Sequence, residues 1–227
     1  MPLTIPKHLA GLIPRGVGNK EIAEAAPFKE SARGVVSAIS LIEKEMGWWV
    51  EQIAVDAPAS PPLTGSRVSE NQLGEVGLSS FRTPPACAWS SIREQCINHL
   101  RLGGSVAKLP YANKIWMQFG FELFVHLKSG LTAEVIEVYP FAIVRALLPT
   151  CEHKSTENGY GDQLVAVAHR TGWEPQSLEG VLKSRVPGSR HDRLDAFMAA
   201  WVASLPREGR RAFGHARRPA DAILVTS

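Results

Sequence analysis

Four acidic residues stand where chemistry could be built. Asp56 ends a short apolar run, IAVD (53–56), directly ahead of Ala-Pro; Glu137 lies inside VIEVYP (135–140); Asp192 and Asp195 are three apart in HDRLDAF (191–197). In α/β sheets ligands gather beyond the carboxyl ends of strands, so an aspartate ending an apolar strand is well placed to hold a cation. An aspartate before Ala-Pro is equally an ordinary turn residue. Glu137 is harder to dismiss, because an ionised carboxylate within a buried strand is costly unless paired or bound to metal. Arg67 and Arg145 are its candidate ion-pair partners. Asp192 and Asp195, at helical i, i+3 spacing, project together from one edge of a helix. Acids also favour a first helical turn through the dipole alone.

The elements that would carry these residues follow from hydrophobic period and from proline and glycine. Phe28 to Met46 has Val35, Ile39 and Ile42 at helical spacing and stops at Gly47. IAVD then has the pattern of a strand buried on both faces. DAPASPPLTGSR (56–67) is a loop by composition, followed by a short helix in SENQLGEVG (69–77) and a proline break, RTPPA (82–86). Ile92, Cys96 and Leu100 predict a helix over Ser90–Leu102. Lys114–Lys128 alternates like a strand at Phe121, Leu123, Val125 and Leu127, but Trp116, Phe119, Leu123 and Leu127 also form one helical stripe. Its length favours the helix. A strand at Ala133–Tyr139 is closed by Pro140. Helices near Asp162–Thr171, Gln176–Lys183 and Ser189–Leu205 complete the pattern. In the last, Leu194, Met198, Trp201 and Leu205 form one face. Ala196, Ala199 and Ala203 join Asp192 and Asp195 on the other, a side small enough for close approach to a sheet. Helices alternating with buried strands imply an α/β fold. Residues 1–27 form a poorly patterned N-terminal arm, and 28–227 read as a single domain.

Composition bounds the function. The 44% hydrophobic and 21% charged content is that of an ordinary globular chain, and the net charge of +3 is too mild to argue for nucleic acid by itself. The excess is local: Arg207, Arg210, Arg211, Arg217 and Arg218 crowd the C-terminal segment, with Lys183, Arg185, Arg190 and Arg193 upstream. Arg190, Arg210 and Arg211 are the candidate nucleic-acid contacts, although such a run is commonly just a solvated surface. No stretch reaches the ~20 apolar residues of a membrane span. No signal peptide is recognisable, and three scattered cysteines point to a reducing, cytoplasmic setting. Phosphate-binding loops of the GxxxxGK[ST] and GxGxxG kinds are absent, and Cys151-Glu-His153 lacks the second pair a zinc site needs.

Taken in order, VDAPASPP (55–62), RVSENQLGEVGLSSFRTPP (67–85), VIEVYPFAIVRALLP (135–149), HDRLDAFMAAWVASL (191–205) and AILV (222–225) resemble a known family. It is called domain of unknown function 429, and its members are regarded as predicted nucleases of RNase H-like fold. The resemblance runs from about Val50 to the C-terminus, with VIEVYP and HDxLDA its most specific pieces. It implies a central sheet flanked by helices, with a carboxylate cluster for divalent cations. By motif, Asp56, Asp192 and Asp195 would be metal ligands, and Glu137 a ligand or a support for one. In such a site Mg²⁺ or Mn²⁺ activates a water and stabilises the leaving oxygen of a phosphodiester. His191 would be a polar neighbour at the helix start.

The chain also departs from that pattern. RNase H-like nucleases begin with a hairpin whose first strand supplies a metal-binding aspartate. Here the first 27 residues contain no aspartate, only Glu21 and Glu24 among acids. The expectation is a sheet lacking its first strand or strands, with an exposed edge that a second copy of the chain could cover. Two functions follow. One is a Mg²⁺- or Mn²⁺-dependent hydrolase of DNA or RNA acting through Asp56, Glu137, Asp192 and Asp195. The other is a catalytically degenerate module that binds nucleic acid or protein without cleaving.

Overall fold

A computed structural model describes residues 26–78, 82–154, 156–215 and 222–227. The N-terminal arm up to residue 25, with Arg217 and Arg218, lies outside the described residues. Eight α-helices and four strands are present among those described, in an α/β arrangement. In chain order they are α1 (Ala26–Met46), β1 (Gln52–Val55), α2 (Val68–Glu75), α3 (Trp89–Arg101), α4 (Ala112–Gly130), β2 (Glu134–Val138), α5 (Pro140–Leu147), α6 (Glu157–Thr171), α7 (Pro175–Arg185), α8 (Arg190–Ser204), β3 (Arg210–Gly214) and β4 (Ala222–Thr226). No helix among the described residues is long and apolar enough to cross a membrane.

The sheet order is β1-β2-β4-β3. β1 pairs parallel with β2 and β2 parallel with β4, while β3 and β4 form an antiparallel hairpin at the far edge. β2 is thus central, and its residues from Val135 to Val138 are all buried, Glu137 included. β1 is the near edge, and three of its four residues are only half-buried. The expectation of a strand covered on both sides is therefore met for β2 and not for β1. Among the described residues β1 has only one neighbouring strand.

The helices cover both faces. On one face Val35, Val36 and Ile39 of α1 and Leu123, Phe124 and Leu127 of α4 pack on Ile53, Val55 and Val135. On the other, Leu194, Met198, Ala199 and Val202 of α8 share a core with α5, α6, α7 and the inner faces of β2 and β4. The stripe read in α4 resolves as helix: Phe124 and Leu127 are buried while Val125 is exposed.

Three elements differ from the expectation. Pro140 closes β2 but also opens a helix, since a proline at the first helical position costs no hydrogen bond. α6 starts at Glu157, five residues before the periodic segment, because Thr156 caps it by accepting from Gly159 N. The basic C-terminal segment contains strand β3, so Arg210 and Arg211 belong to the sheet edge and not to a free solvated run.

Candidate functional site

β1 and β2 end side by side, bringing Asp56 and Tyr139 to the same rim of the sheet. Two cavities meet there. A cleft of about 250 Å³ lies beyond the strand ends, lined in part by Asp56, Trp116, Tyr139, Phe141, His153 and Lys154. A longer groove of about 1260 Å³ runs along the outer edge of β1 and contains Asp56, Asp192 and Asp195 at one end and Arg207 and Arg210 at the other. Gly120 of α4 lets the helix approach this rim: a Cβ there would stand 2.5 Å from Ala57 Cβ and 3.3 Å from Pro58 O.

Glu137 faces inward. Arg67 grips it with two parallel bonds, Nη1 to Oε1 at 2.6 Å and Nη2 to Oε2 at 2.7 Å, and Ala59 N donates to Oε2 at 2.8 Å. Burial pushes its carboxyl up, and Arg67 and the Ala59 amide oppose that. Arg145, the other candidate partner, instead donates to Cys151 O at 3.4 Å. Glu70, itself buried, lies 3.6 Å from Arg67 Nη1 and accepts from Thr83 N at 2.9 Å and from the Thr83 hydroxyl. The network fastens Ala59, Arg67, Glu70 and Thr83 to the central strand.

Asp192 and Asp195 do different work although they share a helix edge. Asp192 completes a capping box with Ser189: its Oδ2 accepts from Ser189 N at 3.3 Å, and its N donates to Ser189 Oγ at 3.2 Å, with Ser189 Oγ also donating to Oδ2 at 2.8 Å. Asp195 is buried and contacts Lys154 Nζ. Burial pushes the Asp195 carboxyl up, and Lys154 pulls it down. His191 stacks edge-on against Tyr160 with ring centroids 5.3 Å apart, and its Nδ1 is buried without a hydrogen bond among the described residues.

Asp56 is the carboxylate of the four that has no hydrogen bond among the described residues. Its outer side is open to solvent and protein surrounds the rest. That desolvation, followed by the like charge of Asp195, pushes it up to about 7. Tyr139 is pushed up to about 12, first by burial and then by Asp56 and Asp195. The rim thus gathers negative charge, with Lys154 as the nearby cation.

Among the described residues no group of three or more His, Cys, Asp or Glu side chains is arranged to hold a metal ion. The reason is visible in the contacts: Glu137 turns to Arg67, Asp192 turns back to its own helix start, and Lys154 sits against Asp195. The residues as placed do not form a divalent-cation cluster.

The basic candidates do not converge either. Arg190 stacks on Tyr160 at 4.6 Å from the ring centroid, and Arg211 on Phe213 at 4.7 Å. Arg210 donates to Leu205 O at 2.8 Å and to Gln52 Oε1 at 2.6 Å, bracing the end of α8 against β1. Lys154, His153, Trp116 and Phe141 were not evident as site residues from sequence. Only the rule that ligands sit beyond strand ends points to that rim, and it does not say which loops complete it.

The family model described as "Protein of unknown function (DUF429)" matches residues 34–221. The chain belongs to the DUF429 family. The match begins within α1, earlier than the motifs near Val50, and takes in Asp56, Glu137, Asp192 and Asp195. No curated protein matches the chain, and no solved structure does.

Proposed function

We propose that this DUF429 protein is an RNase H-like module that binds single-stranded nucleic acid at the carboxyl ends of β1 and β2 without cleaving it. The observation that carries the proposal is the engagement of the carboxylates. Glu137, Asp192 and Asp195 each have a partner within the protein, so three of the four groups a nuclease of this family would spend on metal are spent on structure. The cleft beside them has the ingredients for a stacked base and its phosphate. Trp116 is 37% exposed, Tyr139 and Phe141 stand edge to face at 6.4 Å, and Phe141 packs on His153 at 5.5 Å. Aromatic faces stack any base, and a lysine at the rim suits a phosphate.

One observation favours the nuclease reading. Asp56, pushed to about 7 by desolvation and then by Asp195, is only partly balanced by the charge of Lys154, and a divalent cation would complete that balance. In that reading Asp192 and Asp195 exchange their present contacts for Mg²⁺ or Mn²⁺ and Asp56 joins them. Fluorescence anisotropy with a labelled poly-dT or poly-U oligonucleotide, followed by gel analysis after incubation with Mn²⁺, separates the two. Binding that weakens about tenfold in Trp116→Ala, corresponding to the ~1–3 kcal/mol of one stacked base, with the oligonucleotide intact, supports the module. Cleavage lost in Asp56→Ala and Asp195→Ala supports the nuclease, and an absence of binding removes the first reading.

A further inference from the structure

A further cavity, of about 300 Å³, lies at the β3–β4 side of the sheet and shares no lining residue with the strand-end cleft or the groove beside β1. Its apolar lining comes from Leu78 after α2, Pro149 after α5, Phe213 of β3 and Val225 of β4. Two side chains charge it. Arg145 comes from the last turn of α5, where a cation suits the helix dipole, and Arg211 comes from β3. Residues two apart on a strand point the same way, so Arg211 and Phe213 share a face. The hairpin register sets Val225 opposite Arg211 on that face. The Arg211 guanidinium lies over the Phe213 ring, 4.7 Å from its centroid, and is held against the wall by that contact.

Neither arginine has an acid to balance it. Among the described residues no Asp or Glu lines the cavity, and neither guanidinium forms a salt bridge. Ser227 also lines it without pairing with either arginine. The Arg211 guanidinium has no hydrogen bond among the described residues. Arg145 has one long bond, from Nη1 to Cys151 O at 3.4 Å, and its Nε is buried with no acceptor. A guanidinium presents a rigid fork of N–H donors, and donors shielded from water without acceptors are costly. Two like charges on one cavity add repulsion to that cost. A bound anion relieves both.

We propose that this cavity binds a small phosphate monoester with an apolar, ring-sized body, held between Arg145 and Arg211. Such a phosphate carries a charge of about −1.5 to −2 at neutral pH, which matches two guanidinium groups, whereas a carboxylate balances only one. Its terminal oxygens accept from both forks, the geometry in which arginine recognises phosphate best. The apolar lining takes the body. The volume is at the lower end of small-molecule sites, which suits a single ring and not a polymer. The site stands apart from the nucleic-acid reading of the strand-end cleft and does not depend on it.

Isothermal titration of the full chain with phenyl phosphate near neutral pH tests this, with benzoate as the second arm. Phenyl phosphate should bind saturably, and benzoate about tenfold or more weaker, the scale of one lost charge-assisted contact. Arg145→Met and Arg211→Met should each weaken phenyl phosphate by about tenfold or more, while Trp116→Ala and Lys154→Met leave its affinity unchanged. Arg211 is exposed, so if Arg145→Met fails to fold, the Arg211→Met comparison decides. The proposal is overturned if phenyl phosphate does not bind at millimolar concentration, or binds both arginine variants as well as the parent. Loss of binding in Trp116→Ala or Lys154→Met also overturns it, because the phosphate would then sit in the strand-end cleft. Benzoate bound as tightly as phenyl phosphate would overturn the assignment to a phosphate.

Discussion

Arg67 and Glu137 form a two-pronged ion pair at 2.6 and 2.7 Å under the floor of the cleft, both side chains almost wholly buried. The pair links the loop after β1 to the central strand. It also explains how a glutamate can sit in the middle of a buried sheet: its charge is matched and its oxygens are bonded. Glu137 in this geometry holds the rim in shape, its oxygens taken up by Arg67 and the Ala59 amide.

Removing one member of that pair should be severe. Arg67→Ala leaves an uncompensated buried carboxylate and is expected to cost ~3–5 kcal/mol, whereas the double change Arg67→Met with Glu137→Leu should recover much of the loss. Urea unfolding of the three proteins checks this. Equal destabilisation by the single and double changes would count against a structural role.

Stability should depend on pH through Asp56. Its folded value of about 7 lies above the ordinary 3.8, so the native state holds the proton more tightly than the unfolded one. The resulting stabilisation is fully present below about 3.8 and is lost as pH rises through 7. Asp195 is displaced in the same direction. Urea midpoints for the parent should therefore fall from pH 4 to pH 7.5 relative to Asp56→Asn. Parallel curves for the two proteins would show that Asp56 titrates normally.

Ser189→Ala removes the cap of α8 and half of its reciprocal bond with Asp192. A loss of ~1 kcal/mol is expected in the same unfolding assay. Asp192→Ala should cost a similar amount and leave oligonucleotide affinity unchanged. A large affinity loss in Asp192→Ala would mean that this aspartate serves the ligand.

Lys154→Met removes the cation against Asp195. Oligonucleotide binding should weaken, and the salt dependence of the remaining affinity should flatten by about one counterion, the signature of a lost phosphate contact. An unchanged salt slope would place the phosphate elsewhere.

Much of the architecture was legible in the sequence because it rests on local signals. The helix over Phe28–Met46, the buried strand around Glu137 and the helix over Ser189–Leu205 are all written in hydrophobic period, proline and glycine. The pairing of partners was not. Arg67 and Arg145 were equal candidates for Glu137, and only the path of the 56–67 loop brings one guanidinium to it. The acidic pair of α8 looked like one unit, yet one turn of helix sends Asp192 to Ser189 and Asp195 to Lys154. β3 was hidden because its exposed positions, Arg211 and Ala212, carry no strand pattern, and only Phe213 of the strand is buried. Half-burial of β1 could not be read from IAVD, since an apolar run does not record how many neighbours the strand has among the described residues.

The central claim, that the carboxylates serve structure and ligand binding in place of metal catalysis, is tested most directly by thermal unfolding in millimolar Mn²⁺ or Mg²⁺. The parent is compared with Asp56→Ala and Asp195→Ala. A metal that binds only the native state raises the melting temperature by mass action, without any need to know the substrate. The account predicts that the ions leave all three melting temperatures where they were. Stabilisation of the parent that vanishes in both variants would contradict it and establish a working metal site.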